Sequence, residues 1–148
     1  MTSERGFSLI ELLIVVVIIG VIMALAVPGL VRARQYAQAG SAIQSLRTIT
    51  TAENLYERRF HVFGLLTDLA PEGSLDSNLA AGHKSGYLFD LQLTPDPGTG
   101  IVDKKHFSCT ASPVLDAPTA AYFYVDETAV IRSNTGAPAD GTSTPIPQ

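Results

Sequence analysis

The sequence predicts an α+β protein: a long N-terminal α-helix, membrane-embedded in its first half, packed against a small antiparallel β-sheet head. Three observations predict it. Residues 12–31 are an apolar run without a charge, about twenty residues long, which is what an α-helix needs to cross the hydrocarbon core of a bilayer. From there to about residue 60 the helical pattern continues but becomes amphipathic. Beyond it, segments such as Tyr87-Leu88-Phe89-Asp90-Leu91-Gln92-Leu93 alternate apolar and polar residues as half-buried strands do.

The helix starts with a conflict. Glu11 sits one step inside an apolar segment that already begins at Phe7, and an ionised carboxylate in hydrocarbon costs roughly 2.5 kcal/mol or more. A cut after Gly6 gives that charge a partner, because it leaves Phe7 with a free, positively charged α-amine four residues before Glu11. The two groups are then within reach on one helix face, or better placed between staggered copies of the chain.

Gly6, Phe7 and Glu11 at this spacing, followed by Leu12-Leu13-Ile14-Val15 and the long apolar helix, resemble the class III signal of type IV pilins and the related type II secretion pseudopilins. The resemblance covers roughly the first third of the chain; the remainder fits in general layout. It implies a leader (residues 1–6) removed by prepilin peptidase between Gly6 and Phe7, and N-methylation of the new Phe7 amine. Mature subunits are then assembled by the pilus or secretion machinery into a homo-oligomeric helical filament, in which Glu11 neutralises a neighbouring Phe7 amine. Gly20 and Pro28 fall where pilins commonly carry helix-weakening residues, which agrees with their physical chemistry: proline removes a backbone donor and clashes with the preceding turn, and glycine lowers helix propensity. The implied location is the bacterial cytoplasmic membrane before assembly, with the head outside the cytoplasm, and the cell surface afterwards. Charge does not set this orientation, since Arg5 on one side nearly balances Arg32 and Arg34 on the other.

Two other readings of the apolar segment stay open. Ala24-Leu25-Ala26 supplies the small-x-small pattern of a secretory signal peptide, which would release a soluble binding module beginning at Val27. A plain single-pass anchor explains the length of the run and leaves Glu11 without a reason.

After the membrane segment (residues 7–31), residues 32–60 place Ile43, Leu46, Ile49, Tyr56 and Phe60 on one stripe, extended by Ala39 and Ala42, with Ala52 filling the gap beside Glu53. Ser41, Gln44, Arg47, Thr48, Thr51, Asn54 and Arg58 form the other face. The stripe is expected to pack against the head (residues 61–133). The helix is expected to end between residues 61 and 64, with Gly64 as terminator and Arg58-Arg59 complementing the C-terminal dipole. Thr67-Asp68-Leu69 begins a short turn that Pro71 and Gly73 end, and residues 75–86 read as loop. Residues 87–93 form a strand, Pro95-Asp96-Pro97-Gly98 a turn, and residues 106–111 a second strand with Phe107, Cys109 and Ala111 inward, ended by Pro113. Tyr122-Phe123-Tyr124-Val125 and Ala129-Val130-Ile131-Arg132 flank Asp126-Glu127-Thr128 as an antiparallel hairpin. Together these give three or four strands whose apolar face covers the helix stripe. Residues 134–148, rich in Gly, Pro, Ser and Thr, read as an extended or mobile surface tail.

Composition narrows the function. The 148-residue chain has room for one small head beside its membrane helix, and its net charge of −4 argues against broad nucleic-acid binding. The single cysteine, Cys109, cannot form an intrachain disulfide, a departure from the many pilins that staple a C-terminal loop with a cysteine pair; it reads as a small core residue. His61, His83 and His106 lack metal-ligand spacing, and no catalytic or phosphate-binding motif occurs. Only Asp140 lies within the last fifteen or so residues, too few carboxylates for the C-terminal calcium loop that some pseudopilins carry. Neither a metal nor another cofactor is expected. Lys104-Lys105-His106 reads as a solvated turn, so nucleic acid is not an expected partner. The expectation is a structural subunit rather than an enzyme, a type IV pilin with the type II secretion pseudopilin as the alternative.

If the peptidase requires a small, flexible residue before Phe7, Gly6→Val retains the leader and stops filament formation while the protein still accumulates in the membrane. Electrophoretic mobility of the membrane-bound chain checks this, and normal processing of the variant contradicts it.

Overall fold

The computed structural model describes residues 7–73, 75–95, 98, 100, 103–115 and 119–147. The chain divides into two compact units, Met1–Tyr36 and Ala37–Gln148, with helix α1 (Leu9–Phe60) contributing to both. In the first unit every described residue is exposed, its large apolar side chains ranging from Leu9 at 83% to Ile19 at 46%. A helix that is apolar all round and covered by nothing in its own unit needs an apolar environment from elsewhere. Among the described residues, α1 is the one helix long and apolar enough to cross a membrane.

In the second unit the helical period decides which face is covered. Ala42, Ser45, Leu46, Ile49, Thr50, Ala52 and Glu53 are buried, while Gln44, Arg47, Thr51, Asn54 and Arg58 remain exposed. Of the predicted stripe, Ala42, Leu46, Ile49 and Ala52 are buried, Ala39, Ile43 and Tyr56 are partly buried against the core, and Phe60 is 45% exposed; three polar residues join the stripe. Two of the additions satisfy themselves by bonding back one turn: Ser45 Oγ donates to the Ser41 carbonyl at 2.9 Å and Thr50 Oγ1 to the Leu46 carbonyl at 2.9 Å. The third, Glu53, is fully enclosed.

α1 ends at the expected bound of residue 60, but the residue that terminates it is not the expected one. The helix stops at Phe60, and His61, not Gly64, takes the left-handed conformation (φ 58°) while its N–H closes on the Glu57 carbonyl at 2.7 Å. Gly64 serves a different need. Its N–H donates to Glu53 Oε2 at 3.0 Å, and a Cβ there would lie 3.1 Å from Asp68 Cβ and 3.2 Å from the Tyr56 ring, so only glycine fits without displacing a neighbour.

Helix α2 (Leu66–Leu69) and a 3-10 turn (Ala70–Glu72) follow, ended by Gly73 at φ 70°, in agreement with the predicted short turn. The segment expected to be loop instead holds helix α3 (Ser77–Ala80) and strand β1 (His83–Lys84). The signal lay in one side chain: Asp76 accepts the Leu79 N–H at 3.1 Å as an N-cap and pairs with Lys84 Nζ at 2.6 Å.

Strands β2 (Tyr87–Leu93), β3 (Phe107–Pro113), β4 (Ala121–Asp126), β5 (Arg132–Thr135) and β6 (Thr144–Pro145) complete a six-stranded antiparallel sheet in chain order, two strands more than the upper expectation. Its inner face is set by register. Phe89, Ala111 and Phe123 lie in one cross-strand row, and Leu91, Cys109 and Val125 in the next, all at most 6% exposed. The small Ala111 between two phenylalanines lets the large rings sit on either side. Burial pushes the Cys109 thiol well above its usual range, consistent with an inert core residue. The expected Pro95-Asp96-Pro97-Gly98 turn has Asp96 and Pro97 outside the described residues.

Two further expectations need correction. The last hairpin is not closed by a three-residue turn, because β5 begins at Arg132 opposite Tyr124, leaving residues 127–131 as the connection. Asp126 builds it: its Oδ1 accepts the Thr128 N–H at 3.0 Å and also the Thr128 hydroxyl, and Ala129 turns to φ 61°. The segment from residue 134 onward also returns to the sheet rather than hanging free as a tail. Thr144 pairs with Ser133, Arg132 Nη1 donates to the Ser143 carbonyl at 3.2 Å, the Ile146 N–H donates to the Ile131 carbonyl at 3.0 Å, and Ala139 is buried. Backbone pairing needs no apolar period, which is why composition hid it.

Phe89 is 5% exposed on the inner face, whereas its neighbour Leu88 is 52% exposed on the other. Truncating Phe89 to Ala is therefore expected to destabilise the head by about 3–5 kcal/mol, and Leu88→Ala by no more than about 0.5 kcal/mol. Denaturant unfolding of the full chain in detergent micelles checks both; equal effects contradict the register.

Candidate functional site

The start of α1 is built by two side chains. The sequence Ser8-Leu9-Ile10-Glu11 is a capping box, with a hydroxyl residue at the cap and a glutamate three residues on. Glu11 Oε2 accepts the Ser8 N–H at 2.9 Å, and Ser8 Oγ lies 3.4 Å from the Ile10 nitrogen. The Ser8 carbonyl takes the first helical hydrogen bonds, from Glu11 at 3.1 Å and Leu12 at 3.3 Å. Glu11 thus places its negative charge in the first turn, where the helix dipole favours it.

The predicted partner of Glu11 was the Phe7 amine. In this chain Phe7 is joined to Gly6, so its nitrogen is a peptide amide and carries no charge; Gly6 itself lies outside the described residues. Phe7 is 82% exposed beside the cap. One oxygen of Glu11 is engaged by Ser8, and the two-oxygen geometry of a carboxylate leaves it capacity for further donors. A cationic amine within reach can be accepted without giving up the cap.

Gly20 and Pro28 lie farther along the same exposed helix. α1 passes through both without interruption. A Cβ on Gly20 would meet nothing within 4 Å, so packing within the chain does not demand glycine there. Pro28 has no N–H for the carbonyl of Ala24, one turn back. The two positions are thus weak points of backbone hydrogen bonding or propensity in an otherwise regular helix, and neither contacts Glu11 through the sequence distance that separates them.

Sequence reasoning missed two residues. Ser8 carries the cap, and the S-x-x-E spacing was the available signal. Glu53 is buried in the head, and its position four residues after Ile49 on the apolar stripe was the available signal. Among the described residues no group of three or more His, Cys, Asp or Glu side chains is placed to hold a metal ion.

Comparison with known proteins bears on this helix first. The family profile described as the prokaryotic N-terminal methylation motif matches residues 1–27. Over 124 residues the chain is 30% identical to the type IV major pilin protein PilA of Myxococcus xanthus, covering 78% of this chain and 56% of that protein. Over 97 residues it is 30% identical to the type II secretion system core protein G of Escherichia coli, covering 63% of this chain and 67% of that protein. A 54-residue match to core protein G of Pectobacterium carotovorum is 33% identical and covers 36% of this chain and 35% of that protein. The chain therefore spans between about a third and two thirds of the length of these relatives. No solved structure matches it. The methylation motif on a capped, exposed apolar helix, the α+β head behind it and these relatives agree: the chain belongs to the family of type IV pilins and type II secretion pseudopilins.

Proposed function

We propose that this chain is the structural subunit of a type IV pilus. Cleavage between Gly6 and Phe7 and methylation of the new amine prepare residues 7–31 to leave the membrane and pack against the same helix of other copies. The observation that carries this reading is the exposure of every apolar side chain from Phe7 to Val31. Each Leu, Ile or Val of that stretch gains about 1.5–3 kcal/mol when fully buried, and lipid before assembly or neighbouring helices after it supply the burial. Gly20 and Pro28 allow the helix to bend or open as it exchanges one environment for the other.

Glu11 gives the packing its register. In apolar surroundings opposite charges attract more strongly than in water, and a lone charge is costly to leave unpaired. A subunit entering the filament thus favours the axial position in which its methylated Phe7 amine meets a neighbour's Glu11. The partners implied are prepilin peptidase, the assembly machinery and further copies of the chain; the head faces out of the cytoplasm throughout.

The second reading, a pseudopilin of a type II secretion system, is favoured by the similarity to core protein G. In favour of the pilus, the Asp140 carboxylate, the one acid near the C-terminus, is occupied by its own turn. Its Oδ1 accepts from the Thr142 N–H at 2.9 Å and from the Thr142 and Ser143 hydroxyls at 2.8 and 3.1 Å. Deleting the chain in its native cell separates the readings: a pilus subunit is lost with the surface filaments, and a pseudopilin with the export of secreted proteins. The secretory-signal alternative has against it an α1 that crosses the supposed cut after Ala26 without a break.

Three substitutions at Glu11 distinguish register from capping. Glu11→Val is expected to give a processed, membrane-resident subunit that enters filaments poorly, and Glu11→Asp to be partly tolerated because it keeps the charge. Glu11→Gln keeps an oxygen for the Ser8 N–H and loses the charge, so it is expected to fail as Val does. Immunoblots of sheared filaments and of membranes check all three; Gln filaments at normal abundance would show that the cap, not the ion pair, is what assembly requires.

A further inference from the structure

The head contains a carboxyl group that the assembly mechanism does not use. Glu53 lies on the buried face of α1, fully enclosed. One oxygen accepts the Gly64 N–H at 3.0 Å, and the other has no hydrogen-bond partner among the described residues. A buried oxygen of this kind is tolerable when it carries a proton and expensive when it carries charge.

Beyond the Gly64 hydrogen bond, the charge that acts on Glu53 is of its own sign: Asp68 from α2, with the Cys109 thiol of β3 near enough to feel the carboxylate in turn. Two basic residues meet the connection rather than the carboxyl: His61 opens it, and its Phe63 N–H donates to the Lys104 carbonyl at 2.7 Å. Asp68 is tied into the same segment, since its Oδ2 accepts the Leu65 N–H at 3.0 Å. Two acidic side chains thus hold adjacent amides of the connection between α1 and α2, Glu53 from beneath and Asp68 from the far end. Gly64 sits so close to Tyr56 and Asp68 that a Cβ, 3.1 Å from Asp68 Cβ and 3.2 Å from the Tyr56 ring, would push one of them aside.

From this geometry we propose that the connection formed by residues 61–65 is a proton-operated latch, closed while Glu53 is protonated and loosened when Glu53 gives its proton up. Opening admits water to the carboxylate and separates it from Asp68. The latch is a property of the head and operates whether the chain serves a pilus or a pseudopilus. It also governs surface: the connection and its flanks carry Phe60 and Leu65, which are 45% and 43% exposed, so loosening it changes an apolar edge of the head.

The direction of the pH dependence follows from the shift at Glu53. Burial raises its pKa from the ordinary 4.5 to about 7; the Gly64 hydrogen bond opposes the rise and the Asp68 charge adds to it. The closed form holds the proton more tightly than the open one, so closure is fully favoured below about 4.5. That advantage is lost as pH rises to about 7 and changes no further above it.

Amide hydrogen exchange of the full chain in detergent micelles, corrected for the intrinsic pH dependence of exchange, tests the latch. The protection factor of the Gly64 amide is expected to fall roughly 50-fold between pH 5 and pH 7.5, while the Cys109 and Val125 amides of the sheet keep theirs. Glu53→Gln, which retains the oxygen that Gly64 uses, is expected to abolish the fall. Asp68→Asn retains the acceptor for Leu65 and removes the neighbouring charge, so the fall becomes smaller and ends at lower pH; this arm decides the matter if Glu53→Gln does not fold. A flat protection factor in the unmodified chain, a fall that persists in Glu53→Gln or is unaltered in Asp68→Asn, or a parallel fall throughout the sheet would overturn the proposal.

Discussion

An α-helix whose apolar side chains face outward on all sides cannot rest in water, and residues 7–31 form such a helix with nothing in their own unit to cover them. That constraint shapes the N-terminal region. Apart from the Ala24 carbonyl, for which Pro28 has no N–H, the backbone groups of the helix interior pair within the helix, so either lipid or a set of identical helices can surround it. Exposed donors remain at its start, where the Ser8 N–H meets Glu11 Oε2 and the Ile10 N–H faces the Ser8 hydroxyl. The glutamate therefore does local work in the isolated chain before any neighbour arrives, and it is already oriented by Ser8 when one does. The ion pair with a methylated Phe7 belongs to the proposed filament.

The head meets a different constraint, since it has no disulfide to limit unfolding. Its solution is a register that places one inner row after another beneath the sheet, with the stripe of α1 from Ala42 to Glu53 in the same core. Many polar groups of the head have partners close in sequence, while the Tyr87 hydroxyl reaches the Ala121 carbonyl of β4 at 2.9 Å. Ser45 and Thr50 bond to the preceding turn, Asp76 caps α3, and Asp126 and Asp140 build their own turns. The C-terminal segment returns through β6 and Arg132, so backbone hydrogen bonds and one long side chain secure the region that a cysteine pair secures in many pilins. Two buried polar atoms have no hydrogen-bond partner among the described residues, Glu53 Oε1 and Arg132 Nε; a guanidinium stays protonated, so the carboxyl is the one of the two where conditional behaviour arises.

How much of this was legible in the sequence depended on whether a residue's role left a periodic trace. The helix stripe and β2, which runs from Tyr87 to Leu93 as expected, rest on alternation that a linear reading detects. The inward placement of Phe107, Cys109 and Ala111 was legible for the same reason. Elements of two to four residues, α3, β1 and β6, leave no period and are held by single contacts such as Asp76 with Leu79 and Lys84. The bound of α1 at residue 60 was legible, but its terminator was not: glycine was credited with a conformational role, whereas His61 adopts the left-handed turn and Gly64 is needed for close approach. Of the site, Glu11 stood out by its charge and Gly6 and Phe7 by their place before it. Ser8 was overlooked because a serine at an apolar boundary attracts no notice until its hydrogen bond is seen.

The mature filament subunit proposed for this chain begins at Phe7. Intact and N-terminal-peptide mass spectrometry of the protein recovered from its native cell envelope is the sharpest test: a chain beginning at Phe7 with one methyl group on its amine is expected. A chain that begins at Val27 would make the N-terminal helix a discarded signal, and one that retains Met1 would leave Phe7 without the charge that Glu11 is proposed to meet; either result would overturn the ion pair and the filament built on it.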